Sequence, residues 1–354
     1  MNDKHPASAM GIKNRFLWTL LFLVIAAGSI WAVTTQSRSF SLREFGEYLS
    51  RNDLGWLLAA AGSMLAYICF GAAAILCLLR GFGYRRSPLQ GLSYTAADLY
   101  FSAITPSATG GQPASAYFMI RDGVPVTVST LVLLANLMCY TVSILLLGLL
   151  GLILRPGTFA RFGTLSKVLI VVGAAIQVVL AILFEMLLWK KELMRRLCDW
   201  VLRVLTKLRL LRNPERKRER LSAAMDRYGL EAEQLKGRLK LLGKALAINL
   251  LHRMSQLMVT VFCFLAQGGR PQDALTVFSM QSNVALGATV MPIPGSMGVT
   301  DYLMLDGFSS LMNADAAANL ELLSRATSFY ICIFLCGVAV LIKSGLIRLR
   351  REKV

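Results

Sequence analysis

The stretch Ile104-Thr-Pro-Ser-Ala-Thr-Gly-Gly-Gln-Pro-Ala-Ser-Ala-Tyr-Phe-Met-Ile-Arg-Asp-Gly-Val-Pro125 decides how this chain is read. Pro106, Gly110, Gly111 and Pro113 fall between two apolar runs. Each proline removes a backbone donor and glycine favours unwinding, so no single helix runs comfortably through them. In lipid, unwound backbone is tolerated only where protein buries it or where it lines a wet cavity. The stretch is therefore either a functional broken helix or a structural kink.

Around it the chain is membrane-like. Its 354 residues are 55% hydrophobic and carry a formal charge of +18; the mean hydropathy is +0.56. Several apolar runs reach the roughly 20 residues that cross a bilayer. A soluble domain with this charge would suggest nucleic acid. Here the excess of cations fits positive-inside bias and anionic headgroups, and no nucleic-acid partner is expected. The seven cysteines form neither a CxxC metal pattern nor a disulfide framework.

Six full spans are predicted: 16–33, 54–79, 130–154, 168–189, 245–266 and 326–342. The first follows a polar cytoplasmic N-terminus, 1–15, and is too long for a signal-peptide core. Residues 89–104 are apolar but short, and lead into the first break. A second short run, 274–291, ends in Met291-Pro-Ile-Pro-Gly-Ser-Met-Gly-Val-Thr-Asp-Tyr302, another Pro/Gly break. The fold class expected is thus an all-α polytopic membrane protein with two broken, re-entrant segments. It divides into a first membrane half (16–189, break at 104–113), a basic segment (190–244), a second membrane half (245–347, break at 291–298) and a basic tail (348–354).

The segment 190–244 holds 17 of the 38 Lys and Arg residues. Leu193, Leu197, Trp200, Val201, Val204, Leu205 and Leu208 recur at helical spacing with cations between them, as in a helix lying on a membrane surface. Asn213-Pro214 breaks it and a second helix returns the chain. Anionic lipid headgroups are the partner expected there; an ordinary solvated hairpin is the plainer reading.

The basic segment and tail place both termini in the cytoplasm. Under that topology inside segments carry 29 Lys and Arg, outside segments 8, and Arg253 lies within a span. One break then dips in from the cytoplasm and the other from outside. They are also alike in sequence: Pro106 precedes Tyr117 by 11 residues and Pro292 precedes Tyr302 by 10. This is the pattern of an inverted-topology repeat, whose paired broken segments form a substrate site in some transporters. Two unrelated kinks are the alternative.

Thr105-Pro-Ser-Ala-Thr-Gly-Gly-Gln-Pro113, with Tyr117 and Arg121-Asp-Gly-Val-Pro125, resembles the flippase-like transmembrane domain of lysylphosphatidylglycerol synthases. Pro292-Ile-Pro-Gly-Ser-Met-Gly-Val-Thr-Asp301 resembles that family's second Pro-Gly motif, with Ser296 where many members have glycine and Asp301 where many have glutamate. The likeness covers about residues 12–347. It implies a bacterial cytoplasmic-membrane protein that moves phospholipid between leaflets, such as lysylphosphatidylglycerol or another aminoacylated or anionic lipid. The chain ends at Val354, so the transport half is expected here without the synthase domain.

No GxSxG, HExxH, Walker loop or complete dinucleotide fingerprint is present, and no metal or cofactor is expected. Ionisable groups inside spans are costly and usually face a cavity or a partner. Asp98, Glu185, Arg253 and Asp301 stand out, although Glu185 and Arg253 lie near enough to a span end to snorkel. In the flippase reading Asp98 and Asp301 pair with an amine, Arg121 and Arg253 steer phosphate, and backbone beyond Pro106 and Pro292 holds it. Thr105, Gly110, Gly111, Gln112, Tyr117, Pro294, Gly295 and Gly298 complete the expected path. The competing readings are a headgroup transferase component, such as a phosphatidylglycerol lysyltransferase, a small-solute transporter, and a non-catalytic scaffold docking at the basic loop. Homo-oligomerisation is compatible with each.

Overall fold

The computed structural model describes residues 52–105, 109–207, 214–288 and 298–352. The predicted span 16–33 and the site candidates Pro106, Pro292, Pro294 and Gly295 lie outside them. Twelve helices are labelled here: α1 (Leu54–Gly81), α2 (Pro88–Ile104), α3 (Gly111–Arg121), α4 (Val126–Leu154), α5 (Thr164–Trp189), α6 (Lys191–Lys207), α7 (Pro214–Lys236), α8 (Leu239–Ala266), α9 (Ala274–Gly287), α10 (Val299–Phe308), α11 (Ala314–Arg325) and α12 (Cys332–Glu352). A π-helical turn, Ala326–Ile331, joins the last two.

Local chemistry sets the boundaries. The Asp53 carboxylate accepts from the backbone of Gly55 at 2.7 Å and caps α1. Ser87 and Gln90 exchange bonds as a capping box around Pro88, the first residue of α2. Gly123 and Gly268, with φ near +84° and +83°, take the left-handed turns that end α3 and α8.

Five elements are long and apolar enough to cross a bilayer: α1, α4, α5, α8 and the continuous unit Ala314–Gly345. They match the five predicted spans that fall among the described residues. The last begins at Ala314, well before the predicted Ala326. Glu321 and Arg325 interrupt the apolar pattern, but they pair one turn apart at 3.1 Å, and the helix runs through them. The chain is a multi-pass α-helical membrane protein.

α1 and α8 run antiparallel along their full length. The Asp53 N–H donates to the Ala266 carbonyl at 3.0 Å at one end, and Arg238 donates to the Gly81 carbonyl at the other. His252 seats the pair midway: its Nδ1 lies 2.6 Å from the Tyr67 carbonyl and its ring stacks on Tyr67 at 4.0 Å. A carbonyl can only accept, so that nitrogen carries the proton.

The broken segments are two helical hairpins. α2 turns back on α3, with Tyr94 donating to Asp122 at 2.7 Å, so both outer ends meet where α4 begins. α9 and α10 gather instead at the connection after α4. There Thr158 and Ser279 share a 2.9 Å bond, and the Gly163 N–H donates to Asp306 at 2.8 Å. The two hairpins therefore open from opposite ends of α4.

Helices gain no hydrophobic drive from lipid, so close packing over small residues holds such bundles. A Cβ on Gly173 of α5 would lie 2.1 Å from the backbone carbonyl oxygen of Leu286 in α9, and one on Gly151 of α4 would lie 2.1 Å from Ser282 Oγ. α5 is the peripheral span: 17% of its most apolar stretch is buried, against 56% for α8. Its exposed Val168, Val171, Val179 and Ile182 face the lipid side.

The basic segment holds α6 and α7, and the predicted break at Asn213 lies outside the described residues. α7 docks on the bundle through Tyr228, which is buried and donates to the Leu187 carbonyl at 2.8 Å. Lys191 pairs with Asp226 at 2.7 Å, which holds the Asp226 carboxyl below its usual range.

Candidate functional site

α8 begins six residues before the predicted Ala245, at Leu239. Arg253 therefore lies about 21 Å along a helix of about 42 Å, at 1.5 Å per residue. That depth is beyond snorkelling, and Arg253 is buried at 7% exposure. Its guanidinium donates to the Tyr140 hydroxyl at 2.8 Å, stacks over the Tyr140 ring at 4.6 Å, and donates to Gln256. Among the described residues it has no carboxylate within ion-pair distance.

Arg253 opens into a cavity of about 310 Å³ enclosed by α4, α5, α8, α9, α10, α11 and the π-helical turn. The wall is polar for a membrane interior. It carries the guanidiniums of Arg253 and Arg325, the amides of Gln177, Gln256 and Gln281, and the hydroxyls of Thr260, Ser324 and Ser328. Thr260 and Ser324 bond each other at 2.6 Å across the α8–α11 contact. Ala288 and Thr300, which flank the second break, also line it.

Arg325 is held from behind. It is ion-paired with Asp301 and with Glu321 at 3.1 Å. Neither carboxylate is part of the cavity wall. Asp301 also accepts from the Gly298 N–H at 3.0 Å, which fixes the start of α10 where Gly298 turns through φ +81°.

The first break is a separate knot. The Gln112 amide donates to both Asp98 carboxylate oxygens at 3.2 Å, and Ser102 donates to one of them at 3.4 Å. Thr105 donates to the Phe101 carbonyl at 2.6 Å and accepts from the Gly110 N–H at 2.9 Å. Gly111 lets α3 lie directly on Asp98 and Ser102. Tyr117 and Arg121 are exposed near the outer end of this hairpin, with the Arg121 guanidinium 5.2 Å from the Tyr117 ring. Glu185 is exposed on α5.

The predicted residues thus fall into two groups that the structure does not join. Arg253 lines the central cavity and Asp301 stands one ion pair behind it. Asp98, Thr105, Gly110, Gly111 and Gln112 hold the first hairpin closed. Thr105→Val should remove the acceptor of the Gly110 N–H and cost about 1 kcal/mol, the lower part of the range for a buried lost partner, because the site is only partly buried. Unfolding by SDS titration in mixed micelles measures it.

Arg325, Tyr140, Gln177, Gln256 and Gln281 were not predicted. Arg325 reads as a loop cation because its counter-charges stand four residues before it and on the first turn of α10, just after the second break. The glutamines did have a signal: an uncharged amide in an apolar span also needs a partner.

The sequence profile described as lysylphosphatidylglycerol synthase TM region matches residues 19–336. The chain belongs to this family. No curated protein matches it. The family match covers both hairpins and the whole central cavity, so the two Pro/Gly motifs are elements of a lysylphosphatidylglycerol synthase membrane region.

Proposed function

We propose that the chain moves phospholipid between the leaflets of the bacterial cytoplasmic membrane, with the headgroup passing through the central cavity while the acyl chains stay in lipid. The observation that carries this is Arg253, buried halfway along its span with no carboxylate partner among the described residues, facing a polar cavity beside the second break. A guanidinium at that depth is costly unless it serves a pathway or a ligand, and its planar donors match phosphate. The hairpins support the reading: they open from opposite ends of α4, as an inverted repeat of re-entrant segments requires. The basic end bearing α6 and α7 would face the cytoplasm, with both chain termini. There α6 exposes Leu197 and Trp200 beside Arg195, Arg196 and Arg203, a surface for anionic headgroups.

The test is leaflet-resolved flipping. Purified protein enters vesicles with chain-labelled phosphatidylglycerol, phosphatidylcholine and lysylphosphatidylglycerol, and dithionite reports the accessible leaflet. Protein-dependent loss of protection is expected. Arg253→Gln should slow it about tenfold or more, the equivalent of one lost charge-assisted contact of about 1.5 kcal/mol or more. Full protection of all three lipids by wild-type protein would sink the reading.

A further inference from the structure

The last span serves two parts of the molecule. Its first half, α11, belongs to the cavity side: Arg325 pairs with Asp301 and Glu321, and Ser324 bonds Thr260 of α8. Its second half, α12, lies on the first hairpin. A Cβ on Gly337 would stand 3.0 Å from the Tyr100 ring of α2, and Lys343 reaches both oxygens of Asp122 at 2.9 Å. The π-helical turn Ala326–Ile331 sits between the halves, and two of its residues, Ser328 and Phe329, line the central cavity.

The burial pattern shows what the turn does. Ala317, Leu320, Ser324 and Thr327 are buried at steps of three and four. Cys332, Cys336 and Val340 are buried at steps of four, and Lys343, 18% exposed, continues the same face. Between Thr327 and Cys332 the step is five. Five residues of α-helix turn through about 500°, which would leave Cys332 about 140° away from Thr327. The i to i+5 repeat of a π-helix puts the two on one side. The turn therefore carries one residue more than an α-helix needs, and that residue aligns α12 with the first hairpin.

In plain α-helical register α12 would be rotated by about 100°, the angle of one residue. Cys336 would then take the place of Gly337 beside Tyr100, and Lys343 would leave Asp122. Turning Cys336 and Val340 toward acyl chains carries no hydrophobic penalty, because lipid is as apolar as the bundle interior. Among the described residues between Cys332 and Gly345, the only side-chain hydrogen bond or ion pair to another element is that of Lys343 with Asp122.

We infer that the π-helical turn is a register switch. A one-residue shift at Ala326–Ile331 rotates α12, withdraws Lys343 from Asp122 and so frees the outer end of the first hairpin, and moves Ser328 and Phe329 in the cavity wall. The Lys343–Asp122 pair locks the switch in its present register. The switch supplies a connection between the two groups of site residues that otherwise stand apart.

The first test removes the extra residue. Ile331 is 43% exposed and off the cavity wall. Its deletion shortens the step from Thr327 to Cys332 to four, so that a continuous α-helix keeps both faces in place and has nothing left to shift. The variant should unfold in SDS titration at a midpoint no lower than wild type. A lower midpoint, or a chain that does not fold, overturns the one-residue account.

The second test reads the register itself. In the double variant Tyr100→Cys, Gly337→Cys, copper-phenanthroline oxidation joins position 100 to position 337 in the present register and to the native Cys336 in the rotated one. Peptide mass spectrometry gives the ratio of the two products. Lys343→Gln should raise the share of the 100–336 product about fivefold or more, as expected for loss of one charge-assisted pair. Deleting Ile331 as well should return the ratio to its starting value. An unchanged ratio in Lys343→Gln overturns the switch and leaves the turn a fixed spacer.

A third test rests on the transport reading above. The Ile331 deletion should slow lipid flipping about tenfold while keeping its stability, because a gating motion is lost. Flipping at the wild-type rate overturns the part of the switch in transport. The disulfide ratio needs no lipid movement, so a wild-type protein that flips nothing refutes the transport reading and leaves the switch to stand or fall on that ratio.

Discussion

Arg325→Gln is expected to destabilise the protein by about 3 kcal/mol. Removing one member of a buried ionic cluster typically costs about 3–5 kcal/mol, because the partners keep their charge without compensation. The lower end applies here: Asp301 is 31% exposed, while Glu321 and Arg325 are 15% and 12%. The loss should appear as a lower midpoint in SDS-titrated unfolding. The triple variant Asp301→Asn, Glu321→Gln, Arg325→Met removes all three charges together and should regain most of that stability. A triple variant as unstable as Arg325→Gln would show that the cluster acts through packing.

Gly111→Ala is expected to disrupt the first hairpin. The added carbon would stand 2.0 Å from the Ser102 hydroxyl, 2.2 Å from an Asp98 carboxylate oxygen and 2.5 Å from the Asp98 backbone carbonyl. The first two can swing aside, but the third belongs to the helix axis of α2, so the helices must separate. Overpacking of this kind costs about 1–3 kcal/mol, and Leu in place of Ala should cost more. Separation also breaks the Gln112–Asp98 bonds and releases the carboxylate. Lipid movement should fall with stability in Gly111→Ala, while Gly62→Ala, where a Cβ meets nothing within 4 Å, serves as the neutral control. Equal unfolding midpoints for the two would refute the close-approach account.

The spans were legible because bilayer thickness imposes length on apolar runs, and the two breaks because proline and glycine cannot be hidden in such runs. The central cavity was legible only through Arg253. Asp98 drew attention as an acid inside a membrane segment, yet its carboxylate closes onto Gln112, a partner that sequence distance conceals until the hairpin is folded. Arg325 failed for the opposite reason: a charged residue near other charges reads as solvent-exposed, whereas here the charges are consumed by one another. Where α8 starts also mattered. An apolar count begins at Ala245, but the helix continues through Lys240 and Lys244 at its basic end, and that shift moves Arg253 from the rim to the middle.

The Lys343 ammonium reaches both oxygens of Asp122 at 2.9 Å, and Tyr94 donates to the same carboxylate. Lys343 belongs to the last helix, Asp122 to the end of the first hairpin. Each half of the chain therefore has a part of itself bolted to the other half, across more than two hundred residues of sequence. Such stitching makes the halves poor candidates for exchange: a hybrid joining the front of this chain to the back of a relative would inherit a fastener without its counterpart unless both ends were transplanted together.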